Sequence, residues 1–267
     1  MRTALTIAGS DSGGGAGIQA DLKTFAALGV YGTCAITAVT AQNTIGVTAS
    51  AVLEADLVTA QIEAVAGDIE IHATKIGMLA TAAIVEAVVA TIQEVELPLV
   101  VADPVMLAKS GDRLLDDDGV EALRTELLPL VRVVTPNLPE AEALSGRRIQ
   151  SLADARDAAR RIQALGARAV IVKGGHSSFA PNHDVIVDLL VDDDAFYEFR
   201  TPRIATTNTH GTGCTLSSAI AAYLALGHTL PDAAERAQQY VAGAIAHALP
   251  IGHGHGPLNH FWRMPTS

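Results

Sequence analysis

Short runs of apolar and β-branched residues alternate with helical patterns along almost the whole chain. Runs of this kind, bounded by polar or glycine positions, are typical of strands. They predict strands at residues 4–8, 34–39, 74–77, 99–102, 131–135, 169–173, 185–191 and 196–200. Between most of them, apolar residues recur with the period of a helix, which predicts helices at residues 18–28, 56–66, 82–93, 119–127, 139–144, 152–165, 215–226 and 231–249. The alternation indicates βαβ units around a parallel sheet.

The pattern changes towards the carboxyl terminus. Two strand-like runs flank the acidic residues 192–194 and predict a hairpin, so the sheet is expected to gain antiparallel strands late in the chain. The last two helices are expected to pair across Gly227 and His228. Because no linker, repeat or low-complexity segment interrupts the pattern, residues 1–267 are predicted to form a single domain.

Composition narrows the chemistry. Apolar residues make up 49% of the chain but aromatic residues only 4%, so the core must be built from Ala, Val, Leu and Ile, as suits helices on a parallel sheet. A net charge of −11 argues against nucleic acid or an anionic membrane as a partner, because both select basic surfaces. Cys34 and Cys214 form no disulfide framework and indicate a reducing compartment. With no secretory leader and no apolar run near the ~18 residues of a membrane span, we predict a cytoplasmic protein that acts on small molecules.

Residues 208–214 run directly into an apolar-striped helix and have the composition of an anion-binding loop. Gly211 and Gly213 let the backbone approach a ligand closely, and the N–H groups at a helix start favour negative charge. Phosphate is the anion that this arrangement favours. A cysteine at a helix start is expected to have a lowered pKa, so Cys214 is a candidate reactive group.

Polar residues after the first strands form a second group of candidates, because ligands of open parallel sheets bind at the carboxyl ends of the strands. The glycine-rich segment 9–17 matches neither the dinucleotide fingerprint nor the P-loop, but it lets a substrate touch the backbone. Gln42 and Asn43 offer flat amides that suit the edge of a heteroaromatic ring, or that bond to the local backbone in a turn. Met78 is either a core residue or an apolar wall against such a ring.

Three later strand ends carry charged or amide side chains. Asp103 ends one predicted strand, and Asn137 and Glu140 follow the next. The two carboxylates suit a water-bridged Mg²⁺ on phosphates, whereas each acid alone also suits a cap or a turn. Lys173 ends a third strand and suits a phosphate chain or a solvated strand end.

The other biased segments predict no further chemistry. Residues 252–260 place three histidines among glycines, and because glycines give no fixed ligand geometry, a capping loop is preferred over a metal site. Loops at residues 12–17, 108–112 and 177–183 have a composition that is typical of covers over a ligand and equally of ordinary surface loops.

Taken together and in order, the motifs at residues 8–23, 40–44, 75–78, 103–105, 135–137, 173–176 and 208–214 resemble those of the bacterial hydroxymethylpyrimidine and phosphomethylpyrimidine kinases of thiamine biosynthesis, a branch of the ribokinase-like superfamily. The resemblance covers nearly the whole chain. It implies a three-layer α/β/α sandwich with a mostly parallel central sheet and a few antiparallel strands late in the chain. It also implies a homodimer that uses ATP and Mg²⁺ to convert 4-amino-5-hydroxymethyl-2-methylpyrimidine to its monophosphate and then to its diphosphate.

The resemblance implies roles for individual residues as well. Three residues are expected against the pyrimidine or its hydroxymethyl group and two along its apolar side: Gly9, Asp21 and Gln42, then Met78 and Val105. The implied magnesium ligands are Asp103 and Glu140, and the implied nucleotide-binding residues are Asn137, Lys173, Thr209, Gly211 and Thr212. The implied catalytic groups are Lys173, the backbone of Gly211 and Gly213, and Cys214, which stands where sugar kinases of the superfamily carry an aspartate base.

Two alternatives remain open on the sequence. A pyridoxal kinase of the same superfamily also phosphorylates a hydroxymethyl group on a flat nitrogen heterocycle, and residues 40–44 are where the two would differ. A non-catalytic pyrimidine-binding protein would need none of Asp103, Lys173 and Cys214, whose presence argues against it. A dinucleotide-dependent dehydrogenase is rejected because the first glycine loop lacks the required register.

Overall fold

A computed structural model describes residues 1–106, 114–175 and 184–264. These residues form nine strands: β1 (Thr3–Asp11), β2 (Tyr31–Gln42), β3 (Val47–Val52), β4 (Ala73–Ile76), β5 (Val100–Ala102), β6 (Val133–Val134), β7 (Ala169–Val172), β8 (Val185–Asp192) and β9 (Ala195–Pro202). They also form eight α-helices: α1 (Gly17–Ala27), α2 (Ala55–Ala66), α3 (Ala82–Glu94), α4 (Asp117–Ala122), α5 (Leu138–Ser145), α6 (Leu152–Gln163), α7 (Thr212–Ala225) and α8 (Leu230–Ala246). Two of the loops considered as covers, residues 108–112 and 177–183, lie outside the described residues, as does His176.

The described strands form one sheet in the order β3-β2-β1-β4-β5-β6-β7-β8-β9. Strands β2, β1, β4, β5, β6 and β7 run parallel, whereas β8 pairs antiparallel with β7 and β9 with β8. The antiparallel hairpin expected late in the chain is therefore confirmed. A further antiparallel strand, β3, pairs with β2 at the opposite edge and was not predicted. All of its residues are half-buried or exposed, and the face with Val47, Ala49 and Ala51 has mostly small side chains, so no large apolar face marks β3 as a strand.

Helices cover both faces of the sheet and make three layers. Helices α1, α7 and α8 pack on one face, and α2 to α6 pack on the other. Successive strand residues alternate between the two cores: in β5, Val100 and Ala102 contact one core and Val101 contacts the other. Because both faces are covered, β5, β6 and β7 are apolar throughout, which is why they stand out as continuous runs in the sequence. None of the helices in the described part of the chain is long and apolar enough to cross a membrane.

Two helix starts differ from the predicted ones by more than one residue. Helix α7 begins at Thr212 rather than at residue 215, because Gly211 adopts the left-handed conformation (φ 84°) directly before it. Cys214 is consequently part of the first helical turn rather than of a loop. Helix α4 begins at Asp117 because the side chain of Asp116 accepts the N–H of Gly119 at 2.7 Å as an N-cap. Helices α7 and α8 pack against each other, as expected.

Candidate active site

The amino terminus of α7 forms the anion-binding end of the site. Gly211 caps the helix without a side-chain hydrogen bond, and a β-carbon on it would collide with the carbonyl oxygen of Gly15. The hydroxyl of Thr212 donates to Thr209 O at 2.8 Å and fixes the entry to the helix. The first N–H groups of an α-helix have no partner within the helix, so this end suits a phosphate, as the sequence predicts.

A charged pair lies directly beneath this helix end. Asp103 follows β5, Lys173 follows β7, and Lys173 Nζ donates to Asp103 Oδ1 at 2.6 Å. A β-carbon on Gly213 would lie 3.3 Å from both Asp103 Oδ2 and Lys173 Nζ, so the first turn of α7 rests on the pair. Burial alone would lower the pKa of Lys173, but the carboxylates of Asp103 and Glu140 raise it above its usual value, so the ammonium stays charged. Two strand ends and the anion loop thus meet at one point of the sheet.

Asn137 and Glu140 bind each other at the start of α5. Asn137 Oδ1 accepts the N–H of Glu140 at 3.0 Å, and Glu140 Oε2 accepts the N–H of Asn137 at 2.8 Å, which is a capping box. The cap considered on the sequence is therefore present. Burial raises the pKa of Glu140 to about 7, with Lys173 opposing the effect and Asp103 adding to it. The carboxylate of Glu140 thus caps α5 and also interacts electrostatically with Asp103 and Lys173.

The two candidate magnesium ligands suit an ion that is already bound to phosphates. Within residues 1–106, 114–175 and 184–264, no group of three or more histidine, cysteine or carboxylate side chains could hold a metal ion. Magnesium on phosphates needs only one or two protein carboxylates and keeps several waters. Asp103 and Glu140 can supply those two carboxylates, because both are close enough to Lys173 to interact with its charge.

Cys214 is half-buried in the first turn of α7. The lowered pKa expected for a cysteine at a helix start is wrong, because desolvation raises the pKa of this thiol to about 11. The ammonium of Lys75 opposes the rise, the carboxylates of Asp21 and Asp103 add to it, and the N–H of Gly17 bonds to the sulfur. The thiol is therefore protonated at neutral pH.

Asp21 lies beneath the site and is fully buried. Its Oδ2 accepts hydrogen bonds from Thr6 at 2.6 Å and from Lys75 at 2.8 Å, and its Oδ1 accepts one from Ser218 at 2.6 Å. The contact with a pyrimidine that the resemblance implies for Asp21 has no support in this geometry. The carboxylate instead ties α1 to β1, β4 and α7. Lys75, which was not predicted as a site residue, is its buried partner.

Of the other residues expected against the pyrimidine, Gln42, Met78 and Val105 are partly accessible and lie at or just beyond strand ends, whereas Gly9 is buried within β1. Met78 packs against Gly9, where a β-carbon would be 2.7 Å from Met78 Cε. Met78 and Val105 are half-buried and Met78 is not part of the buried core. Gln42 ends β2, is also half-buried, and accepts a hydrogen bond from Thr40 Oγ1 at 3.1 Å. Partial exposure is what residues lining a ligand pocket require.

The backbone N–H groups of the first glycine loop bind the carboxylate of Asp11, which is part of the same loop. Asp11 Oδ1 accepts the N–H of Gly13 at 2.8 Å, and Oδ2 accepts those of Gly15 at 3.1 Å and Ala16 at 2.9 Å. His210 Nε2 lies 2.9 Å from the same Oδ2. A nest of backbone N–H groups is thus filled by a carboxylate and offers no second anion site. Asp11 and His210 were not predicted as site residues, and their only sequence signal is that both stand inside glycine-containing motifs.

The histidine-containing tail packs against two loops of the site. The N–H groups of His253 and Gly254 donate to Thr44 Oγ1 at 3.2 Å, and the N–H of His255 donates to Thr44 O at 2.8 Å. A β-carbon on Gly254 would collide with Thr44 O, so the backbone needs glycine there. These contacts make the tail a capping segment, which is the alternative preferred on the sequence. Asn43, in the same loop, forms the turn considered for it: its Oδ1 accepts the N–H of Ile45 at 2.8 Å.

Comparison with known sequences agrees with this geometry. The family profile described as Phosphomethylpyrimidine kinase matches residues 11–259. The hydroxymethylpyrimidine/phosphomethylpyrimidine kinase of Haemophilus influenzae is 48% identical over 261 residues, which cover 98% of this chain and 97% of that protein. The thiamine biosynthesis bifunctional protein ThiED of Geobacter sulfurreducens is 50% identical over 256 residues, which cover 96% of this chain. The match covers 51% of ThiED, so the chain spans about half the length of that relative.

A solved structure shows the same fold. The pyridoxal kinase from Staphylococcus aureus in complex with AMP-PCP and pyridoxal superimposes with a TM-score of 0.89 at 36% identity, covering 99% of this chain and 95% of that one. The ribokinase-like α/β/α architecture implied by the motifs is therefore confirmed. Since the family profile matches most of its length and a relative of nearly equal length is 48% identical, this chain belongs to the phosphomethylpyrimidine kinase family of phosphotransferases.

Proposed function

We propose that this chain transfers the γ-phosphoryl group of ATP to the hydroxymethyl group of 4-amino-5-hydroxymethyl-2-methylpyrimidine, and a second phosphoryl group to the resulting monophosphate. The observation that carries the proposal is the Asp103–Lys173 pair beneath the amino terminus of α7. The charge of Asp103 also acts on the thiol of Cys214 in the first turn of that helix. A cation, a carboxylate and helix N–H groups converge there, and these are the groups that phosphoryl transfer requires. The names of the relatives support the same pair of reactions.

The residues of the site act by positioning phosphates and neutralising their charge. Lys173, held charged by its carboxylate neighbours, donates to a phosphate oxygen of the nucleotide. The N–H groups at the start of α7 receive the transferred phosphoryl group. Asp103 and Glu140 would hold Mg²⁺, which would supply further positive charge to the phosphates. Because phosphoryl transfer passes through a loose transition state, these charges contribute more than removal of the acceptor proton.

The role of Cys214 differs between the two transfers. A thiol with a pKa of about 11 is protonated at neutral pH, so it is no base before the substrates bind. In the first transfer its sulfur accepts a hydrogen bond from the hydroxymethyl group and orients it. The hydroxyl proton passes to an oxygen of the transferred phosphoryl group, and from there to solvent, as the new P–O bond forms and ADP leaves. In the second transfer the acceptor is a phosphate that is already anionic and needs no such help. Cys214 therefore matters more to the first transfer than to the second.

Release of ADP by the purified chain, with ATP, Mg²⁺ and the pyrimidine alcohol, tests the proposal. We expect ADP only when the pyrimidine is present, with the monophosphate formed before the diphosphate in phosphorus NMR spectra. Addition of EDTA should abolish both products. Binding of the pyrimidine without ADP formation would instead support a non-catalytic binding protein.

Pyridoxal is a second candidate acceptor. The similarity to a pyridoxal kinase solved with AMP-PCP and pyridoxal favours it, because fold and identity extend over nearly the whole of both chains. The two alcohols should be compared by kcat/KM in the same assay. We expect the pyrimidine to be favoured at least tenfold, and the reverse order would make the chain a pyridoxal kinase.

We also propose that the chain works as a homodimer in the cytoplasm. The sheet edge formed by β2, β3 and their connecting turn exposes the apolar side chains of Val39, Ile45 and Val52, which a second copy can cover. Both cysteines are free thiols, which agrees with a reducing compartment. Light scattering at micromolar concentration tests the dimer, and fractionation of cells tests the location.

A further inference from the structure

Three segments that are distant in sequence meet at the side chain of His210. Its Nε2 lies 2.9 Å from Asp11 Oδ2, in the glycine loop after β1, and 3.4 Å from Gln42 Nε2, at the end of β2. His210 itself stands in the anion loop, immediately before Gly211. The imidazole thus belongs to the loop proposed to bind phosphate, and it contacts Gln42, which is proposed to bind the pyrimidine.

The direction of the hydrogen bond between Asp11 and His210 follows from the surroundings of the carboxylate. Burial would raise the pKa of Asp11, but hydrogen bonds from His210 and from the N–H groups of Ala16 and Gly13 hold it below its usual value. An ionised carboxylate only accepts hydrogen bonds, so the proton between the two residues belongs to His210 Nε2.

This assignment decides what the imidazole does to Gln42. Because Nε2 carries its proton towards Asp11, it cannot also accept a hydrogen bond from the amide nitrogen of Gln42. The 3.4 Å contact is therefore a packing contact, and the imidazole leaves the N–H groups of Gln42 to donate to a ligand. The rest of Gln42 is held in place: its backbone N–H donates to Ser12 Oγ at 2.8 Å, and its backbone carbonyl accepts from Ser12 Oγ at 2.7 Å. Its Oε1 lies 3.1 Å from Thr40 Oγ1, whose single proton is shared between Oε1 and Ser10 O.

The backbone and the ring of His210 are each held in place. The backbone N–H of His210 donates to Gly256 O at 3.1 Å, which attaches the residue to the carboxyl-terminal segment. The ring also packs so closely on Gly15 that a β-carbon there would collide with His210 Cδ2. The side chain is 15% exposed, so little of it is left to contact a ligand directly.

We propose that His210 is a positioning residue for the acceptor substrate: it fixes the glycine loop through Asp11 and sets the amide of Gln42 for the edge of the pyrimidine ring. This inference rests on the proposed pyrimidine kinase function and on the place of Gln42 in it. His210 takes no part in the transfer of the phosphoryl group. Its loss therefore weakens acceptor binding and leaves nucleotide binding in place.

Three substitutions test the proposal in the full chain: His210→Gln, His210→Asn and His210→Leu. A glutamine amide nitrogen can reach the position of Nε2 and donate to Asp11, an asparagine side chain is too short to do so, and leucine fills the space without a donor. We expect His210→Leu and His210→Asn to raise KM for the pyrimidine alcohol about tenfold or more, with KM for ATP changed less than twofold. His210→Gln should restore KM for the pyrimidine to within about threefold of the unsubstituted chain.

Three results would overturn the proposal: an unchanged KM for the pyrimidine in His210→Leu, an equal rise of both KM values, or equal losses in the Gln and Asn variants. If the Leu variant does not fold, the Gln and Asn pair decides the question alone, because both are polar and differ in reach. Failure of the proposed function is a separate outcome, since the unsubstituted chain would then release no ADP with the pyrimidine. The difference between Gln and Asn would in that case be read from titration of the pyrimidine alcohol by calorimetry, with the same expected order.

Discussion

Lys75 Nζ lies 2.8 Å from Asp21 Oδ2, and both side chains are completely buried. Burial alone would lower the pKa of Lys75, but the acidic groups around it, Asp21 first among them and Asp103 farther away, together raise that pKa above its usual value. The hydroxyl groups of Thr6 and Ser218 donate further hydrogen bonds to Asp21, one to each carboxylate oxygen. This ion pair and its hydrogen bonds thus connect β1, β4, α1 and α7 beneath Cys214.

Removing one partner of this pair should cost more stability than removing both. Lys75→Met leaves a buried carboxylate without its counter-charge, and we expect a loss of about 3–5 kcal/mol in the free energy of unfolding. The double substitution Lys75→Met with Asp21→Asn removes both charges and should recover a large part of that loss. Urea unfolding of the three proteins measures the difference. A double variant no more stable than Lys75→Met would show that the charges are not what holds this region together.

The thiol of Cys214 should react slowly at neutral pH. Because only the thiolate is alkylated and desolvation raises the pKa of Cys214 to about 11, the rate with iodoacetamide should still be rising at pH 9 to 10. The measurement is made in a Cys34→Ser background, so that Cys214 is the single reactive thiol. A rate that reaches its plateau below pH 8 would restore the activated thiol expected for a helix start.

Cys214→Ala should slow the first phosphoryl transfer more than the second. The hydroxymethyl group needs orientation and loses a proton, whereas the monophosphate is already anionic. Single-turnover measurements of each step, started from the alcohol and from the monophosphate, separate the two. Equal losses in both steps would contradict the proposed division of roles.

Gly254→Ala should destabilise the protein although it touches no proposed substrate-binding residue. The added β-carbon collides with Thr44 O, and overpacking of this kind costs about 1–3 kcal/mol. Gly46→Ala, in the loop that the tail covers, is the matched control, because a β-carbon on Gly46 has no heavy atom of the described residues within 4 Å. Thermal unfolding should show a clear loss for Gly254→Ala and almost none for Gly46→Ala. Equal midpoints would mean that the tail is not clamped on Thr44.

His260 should make the protein less stable in mild acid. Burial lowers the pKa of His260 to about 4 from its ordinary 6.5, with Lys23 adding to the effect, and its ring is hydrogen-bonded to Thr215. A histidine whose pKa is lowered by folding contributes stability above pH 6.5, and this stability is lost as the pH falls towards 4. At about 1.4 kcal/mol per pH unit the loss amounts to roughly 3 kcal/mol.

His260→Gln provides the control for that acid dependence. Glutamine keeps a polar group near Thr215 and does not titrate, so its free energy of unfolding should depend less on pH between 6.5 and 4. Chemical denaturation at several pH values compares the two proteins. Parallel curves would place the origin of the acid sensitivity elsewhere.

The order of strands and helices was largely readable from the sequence because helices cover both faces of the sheet. In β5, Val100 and Val101 contact opposite cores and are equally apolar, so the strand forms a visible run. Strand β3 gives no such run, because its residues are exposed and it forms only through pairing with β2. The start of α7 was predicted three residues late. The helix begins directly after Gly211 because this residue adopts the left-handed conformation, and the apolar pattern of the sequence does not reveal a backbone conformation.

The candidate site was readable where a rule of topology applied. Asp103 and Lys173 follow parallel strands, whose carboxyl ends lie at one edge of the sheet, and the structure brings them within 2.6 Å. The contacts of Asp11 with His210 and of Asp21 with Lys75 follow no such rule. They depend on how distant segments pack, and neither residue pair has a fixed spacing in sequence.

The sequence by itself determined the βαβ order, the apolar strands and the residues at the strand ends, because these depend on local periodicity and on polar positions next to it. Only the tertiary structure decided the chemical state of those residues. Cys214 shows the difference: its place at a helix start predicts an activated thiol, whereas desolvation and the charges of Lys75, Asp21 and Asp103 leave it protonated. A pKa responds to every charge and every excluded water around the group, and that environment exists only once the chain has folded.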